Sequence, residues 1–470
     1  MVPNGPAAQR LYAITNNRDS VLCSLYKLTI RKRIRIAFLV VVIALTKLMT
    51  LSVNALSALV ESNHDPQVIV MESSPTPSEV AGVYETIGAA AINDNGEVAF
   101  SATLSDSSIT NAIFLQSGNS THAVLKAGDA APVDGRYRKF LELDLARFTW
   151  VGVEGKFLFF RAELDGSSSA EGVFLWSPEK VEPIALAGNK SPRGSVYKSF
   201  SHPIIAATSA NNGVSFFLAF VAVMDDDSKS LIFGTSRGLE EVLATGDKLE
   251  GNTVKDFAIS QIGAFAVGCV AEMRPKRSGE PYNEVLVIAE DIIANHGVLR
   301  EGSRFESMGK KVKRIFGPPA ISFQASFVAL QFKRKKSAIV FRDVFGDPAI
   351  VAKSGQPAPG LSDENIESFG APIANAVIPI PRGRAILSMV RLSSGRSALW
   401  GFISKSDFLS EAETKLLLVE GSISQGQGLA LQSVIPLKVT NNGTVLLRAT
   451  IGEGIATRQG LFIMNGLFDE

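Results

Sequence analysis

Asn93-Asp94-Asn95-Gly96-Glu97-Val98-Ala99-Phe100-Ser101-Ala102-Thr103-Leu104 reads as a tight turn running into an alternating strand. Asparagine before a turn bonds its own backbone, and glycine supplies a positive φ, so together they reverse the chain sharply. Phe100, Ala102 and Leu104 then share one face of the strand. Related stretches begin at Gly155 (GKFLFFRAEL), Gly213 (NNGVSFFLAF), Gly263 (IGAFAVGCVA), Ser326 (ASFVALQF), Gly383 (RGRAILSMV) and Gly443 (NNGTVLLRATI). From Gly96 to Gly443 the period averages about 58 residues, which suits a propeller or an array.

Each unit keeps one internal order. After the alternating strand comes a short strand rich in aromatic and β-branched residues, such as Ala112–Leu115, Gly172–Trp176, Ala398–Trp400 and Gly460–Ile463. A third strand ends in glycine and a polar residue, as at Val124–Asp129, Ile184–Asn189, Val242–Asp247 and Val298–Ser303. A fourth precedes the next turn. The last unit lacks its third strand, and Val68–Pro77 at the other end of the repeats parallels Val124–Pro132. An N-terminal strand completing the last blade leaves no open sheet edge. The fold expected is an all-β, seven-bladed β-propeller of four-stranded blades over 66–470, its ring closed by an N-terminal strand.

The Asn-x-x-Gly-x-x-Ala-Phe core at Asn93–Phe100 resembles the signature of the NxxGxxAF tandem-repeat family. Only the first repeat matches in full. Gly155 is one residue out of register, Ala210 and Thr440 stand in place of the asparagine, and Ser326 replaces the glycine. The resemblance covers about 65–470 and implies an exported bacterial surface or secreted protein of unassigned biochemistry, propeller-like in fold. Such proteins carry varied anchors, and here the final residues Gly466–Glu470 form no hydrophobic tail.

Arg31-Lys32-Arg33-Ile34-Arg35 precedes an apolar run, Ile36–Thr46, and Val53-Asn54-Ala55 has the small-x-small form of a cleavage site. Residues 1–55 therefore read as a secretory signal peptide, or else as an uncleaved signal anchor, with 56–65 as linker. The stretch 1–27 is long for a leader and is consistent with a start further downstream. Either alternative leaves the body secreted or extracytoplasmic, membrane-bound only through the N-terminal segment if that is uncleaved. The net charge of +1 includes eight basic residues and one acid in 1–55, so the remainder carries −6. An acidic body argues against nucleic acid as partner. Of two cysteines, Cys23 lies before the apolar run and Cys269 sits in an alternating strand, as core.

Motifs of catalysis are absent from the sequence: no His-Glu-x-x-His, Cys-x-x-Cys, Gly-x-Ser-x-Gly or phosphate-binding glycine pattern occurs, and no cofactor is implied. Asp225, Asp226 and Asp227 read as a solvated loop, with Ca²⁺ binding through carboxylate oxygens as the alternative. Asp129 and Asp247 recur at equivalent positions, either capping turns or forming a carboxylate ring. One feature stands out. Arg274, Lys276 and Arg277 occupy a strand connection of the fourth unit, and Lys333, Arg334, Lys335 and Lys336 the equivalent connection of the fifth. Lys310, Lys311, Lys313 and Arg314 fall in the crossover between them. In an up-and-down blade these emerge on one face, as a patch for an anionic partner or as solubility devices. The reading that follows is a binding scaffold for an extracytoplasmic ligand: an anionic glycan, a lipid headgroup or a protein. Its rivals are a carbohydrate-active hydrolase or lyase with a site in the channel, and a structural cell-surface component.

Overall fold

A computed structural model of the protein describes residues 66–468, except the short segments 151–152, 211–212, 236–237, 264–265, 277–278, 290–291, 306–308, 323–324, 344–347, 376–382, 405–411, 423–429 and 454–455. The signal region, the linker and Arg277 lie outside the described residues. The rest forms seven antiparallel sheets with four principal strands each, the seven-bladed propeller expected. Each blade begins with the strand before the turn and runs outward. The sequence unit, which starts at the turn, therefore straddles two blades. The inner strands, in blade order, are Val83–Ile92, Arg136–Trp150, Tyr197–Ala210, Asn252–Gly263, Lys310–Ile315 continued by Ala320–Ser322, Ile366–Ala374 and Leu431–Val439. Successive inner strands contact one another all the way round, the seventh meeting the first.

Both faces of every blade are buried, because each sheet lies between two others. In the third strand of blade 1, Ile113 and Leu115 pack with Phe160 and Phe174 of blade 2. The residues between them, Ala112 and Phe114, pack with Leu446 and Leu461 of blade 7. Period-two side-chain geometry thus delivers a continuous apolar run to two different cores. Comparable clusters fill every other junction. Cys269 is fully buried in the cluster between blades 3 and 4, as the sequence indicates, and burial pushes its thiol up.

The repeated turn works as its chemistry requires. The Asn93 carboxamide oxygen accepts the N–H of Asn95 (3.0 Å) and of Glu97 (3.1 Å), and Gly96 sits at φ +75°. In blade 7, where threonine replaces asparagine, the Thr440 hydroxyl accepts the N–H of Thr444 at 3.0 Å. The substitution keeps an oxygen acceptor in place, which explains why the motif degenerates without loss of the turn. Turn capping also accounts for the recurrent aspartates: Asp129 accepts the Lys126 N–H at 2.8 Å and Asp247 that of Ala244 at 2.9 Å.

Ring closure follows the expected route. Gln67–Met71 pairs antiparallel with Ala456–Met464 as the outermost strand of blade 7, with Gln67 opposite Ile463 and Met71 opposite Gly460. Val70 points into the core shared with blade 1 and Met71 into the core shared with blade 6. A Cβ on Gly460 would meet the Met71 sulfur and lie 2.8 Å from the Val70 carbonyl oxygen. Gly460→Ala is therefore expected to push the closing strand away and destabilise the protein by about 2 kcal/mol, read as a lowered thermal midpoint.

Glu97, in the first turn, is buried and joins blades through an ion pair with Lys156 of blade 2. Burial opposes its ionisation. Hydrogen bonds from Lys156, Asn93 and Ser117 outweigh that and hold the carboxyl below the ordinary glutamate range. A depressed folded-state pKa gives stability that is complete above the unfolded value, about 4.3, and fades as pH falls through the folded value. Glu97→Gln should thus be less stable at neutral pH and show a flatter loss of thermal midpoint between about pH 6 and 3.

Candidate functional site: a basic groove at one rim

The loop between the second and third strands of blade 5 is Lys333-Arg334-Lys335-Lys336, closed by the Phe332 N–H donating to the Lys336 carbonyl at 2.7 Å. Arg334 (φ 63°) and Lys335 (φ 57°) are both left-handed. That geometry is the province of Asn-Gly in two-residue hairpins, and each non-glycine residue there costs about 1 kcal/mol. All four basic side chains are exposed. Beside them runs the inner strand, Lys310–Ile315, where Val312 pairs with Phe332. The sequence reading placed Lys310, Lys311, Lys313 and Arg314 in a crossover; they lie in this inner strand. A register break between Val312 and Arg314 lets Val312 and Ile315 both be buried and leaves Lys311, Lys313 and Arg314 exposed.

A two-residue strand, Arg304–Phe305, folds back on the start of that inner strand, setting Arg304 opposite Lys311. Its guanidinium reaches over Gly309, which stands at φ +60°. Together Arg304, Gly309, Lys310, Lys311, Lys333, Arg334 and Lys336 line a groove of about 460 Å³. Among the described residues no carboxylate lines it and no ion pair holds any of its six cations. The structure thus gathers five of the eleven predicted residues into one concavity. Lys313, Arg314 and Lys335 lie close by in sequence but outside its lining, and Arg314 rests over the Phe316 ring at 5.5 Å. Arg274 and Lys276 are exposed in the equivalent connection of blade 4, which opens on the same rim because it too joins second strand to third. Arg304 was missed. Bridges in the same crossover elsewhere, Ala130 to Arg136, Lys190 to Val196 and Pro357 to Asn365, show that a small hairpin recurs there. Reading Gly302 to Gly309 as that hairpin would have found it.

The acidic loop of blade 3 occupies the same kind of connection. Asp227 pairs with Lys198 at 2.5 Å and Asp226 accepts the Ser228 N–H at 2.9 Å. Asp225 accepts the Val196 N–H at 3.4 Å. Among the described residues no three acidic, histidine or cysteine side chains converge as a metal site would require.

Charge ties the inner strands together. Six inner strands break register at the same level, as between Ile87 and Ala90 or Phe140 and Leu143, and that of blade 5 is interrupted between Ile315 and Ala320. Bulges bend these strands and re-aim their side chains. Lys438 of blade 7 reaches past blade 1 to Asp144 of blade 2, at 2.5 Å, and to the Leu145 carbonyl at 3.0 Å. Asp144, 4% exposed, also accepts the Ile205 N–H of blade 3 at 3.0 Å. Glu142 accepts the His202 N–H at 2.7 Å and lies 3.8 Å from Arg161, which grips Glu171 with two hydrogen bonds. Asp144→Ala would strand the Lys438 ammonium and leave the Ile205 N–H without its partner. The expected loss is about 3 kcal/mol in chemical denaturation, with Lys438→Met alone similarly destabilising and the double variant milder than the sum.

Among solved structures, the chain is similar to the WD40 domain of SCAP from fission yeast (11% identity, 86% of this chain and 91% of that one, TM-score 0.39). It is also similar to the Aleuria aurantia lectin in complex with Fucalpha1-6GlcNAc (12%, 72% and 96%, 0.32) and to Trypanosoma rangeli sialidase (9%, 85% and 59%, 0.36). These likenesses are too distant to carry what those proteins bind or cleave over to this chain. No curated protein matches significantly. A family model does match, over residues 36–384 and again over 152–465. The two starts lie 116 residues apart, two periods of the repeat, as one propeller motif laid twice along a ring would give. The chain belongs to the family of unknown function DUF7453.

Proposed function

We propose that this protein is an exported propeller that works as a binding scaffold, and that the basic rim of blades 4 and 5 takes an anionic extracytoplasmic ligand. The observation that carries this is the groove of six cations with no lining carboxylate among the described residues, on a body whose charge beyond residue 55 is −6. Positive potential in a concavity of an otherwise acidic protein attracts anions specifically to that place. The left-handed backbone at Arg334 and Lys335 adds support. Lysines kept for solubility have no need of a strained turn, and strain of this kind collects where ligands are held. Export rests on the basic cluster at 31–35, the apolar run after it and the small-residue site at 53–55. The Asn93–Phe100 motif supports kinship with the NxxGxxAF repeat proteins. In the channel, Asp144 and Glu142 are each engaged by cations and backbone N–H groups, which favours a scaffold over a hydrolase or lyase that needs a free carboxylate pair.

Full-length protein should bind one or more members of a panel of acidic glycans, anionic vesicles and acidic proteins, with affinity that falls as salt rises. The variant Lys333→Ser, Arg334→Ser, Lys335→Ser, Lys336→Ser should lose at least tenfold while keeping its thermal midpoint. Equal binding by both proteins would move the ligand site away from this rim.

A further inference from the structure

We infer, resting on the reading of the rim as an anion site, that the groove of blade 5 holds a linear polyphosphate chain, and not an acidic sugar or a nucleic acid. The argument starts from what the groove lacks. Ligand sites are ordinarily lined by apolar and aromatic side chains with a few polar groups among them. Among the described residues, every lining residue except Gly309 is cationic and none is aromatic. Phe305 and Phe332, the aromatic residues next to the lining positions, are both buried, packed on each other with ring centroids 6.0 Å apart. A sugar ring has no flat partner to lie on, and nucleic-acid bases have none to stack on. What remains is recognition by charge alone.

The geometry of that charge suits phosphoryl groups. Arg304 and Arg334 both line the groove, one on the crossover hairpin and the other at the turn tip, and each guanidinium is a planar fork suited to two oxygens of one tetrahedral anion. Lys310, Lys311, Lys333 and Lys336 are point charges beside them, exposed or half-buried, and among the described residues none is tied to a carboxylate. Six cations in about 460 Å³ repel one another until an anion of similar charge density enters. A carboxylated sugar carries one charge per ring, whereas a phosphoryl chain carries about one charge per repeat in a much shorter length. The second is nearer the charge density of six cations gathered in one groove. Glu301, at the hairpin's start, is spent on the Ile315 N–H (3.1 Å) and the Asn283 carboxamide (3.1 Å).

The test uses full-length protein, titrated calorimetrically with short-chain inorganic polyphosphate, an oligogalacturonate of equal charge, a single-stranded oligonucleotide and phosphatidylglycerol vesicles. Polyphosphate should bind at least tenfold tighter than the other three and raise the thermal midpoint. With about four phosphoryl groups engaged, affinity should fall about 50-fold between roughly 50 and 200 mM salt. Arg304→Gln and Arg334→Gln should each weaken polyphosphate about tenfold, and Arg138→Gln, on blade 2, should leave it unchanged. Equal or tighter binding of the oligogalacturonate, the oligonucleotide or the vesicles, lost in the same variants, would overturn the polyphosphate assignment and leave the anion site standing. Binding of none of the four would overturn both.

Discussion

No blade of this protein can bury its own apolar surface. Each sheet is one strand layer thick and apolar on both faces, so Phe114 needs blade 7 as much as Ile113 needs blade 2. That constraint dictates the rest: the sheets must stack, and a stack exposes two greasy ends unless it curves into a ring. The five residues Gln67–Met71 are where the ring is made good. They supply Ile69 and Val70 to one core and Val68 and Met71 to another, and cover the open edge of Ala456–Met464.

With the ring closed, the blades hold position through polar ties as well as packing. The N–H groups of inner-strand residues are taken by side chains of the preceding blade: Phe140 by Asn111, Phe200 by Glu171, Phe369 by Ser337. This leaves the connections between second and third strands with little structural duty, and they diverge. The same connection is Asp225-Asp226-Asp227 in blade 3 and Lys333-Arg334-Lys335-Lys336 in blade 5, on one type of scaffold. Function on a repeat fold is written in such positions.

The architecture was legible in the sequence because its determinants are local and repeated. A turn acceptor, a positive-φ glycine and an alternating strand recur often enough to survive replacement of Asn by Thr440 or displacement at Gly155. Even the closing strand left a trace, as a unit missing at one end and present at the other. The candidate site was legible in part. Runs of lysine are visible, and strand connectivity places them on one rim. Arg304 is a lone basic residue that acquires meaning only when a crossover folds back on Lys311. The ion pair between the inner strands of blades 7 and 2 was invisible. Asp144 and Lys438 lie 294 residues apart, in strands whose bulges re-aim them, and no periodicity connects the two.

The closing strand also sets the order of assembly. Gln67 and Ile463 are partners 396 positions apart, among the most distant contacts a chain of this length can make. A flexible chain would face an entropic cost of about 5 kcal/mol to bring such ends together. Blades 1 to 6, each built from neighbours in sequence, remove most of that cost by stacking first and carrying the two ends round to the same place. Blade 7 then forms last, from the earliest and latest parts of the propeller, and until it does the stack presents an unpaired edge to any other chain nearby. A propeller sealed in this way should fold fast in its arc and slowly at its seam, and the seam is where misassembly between molecules would begin.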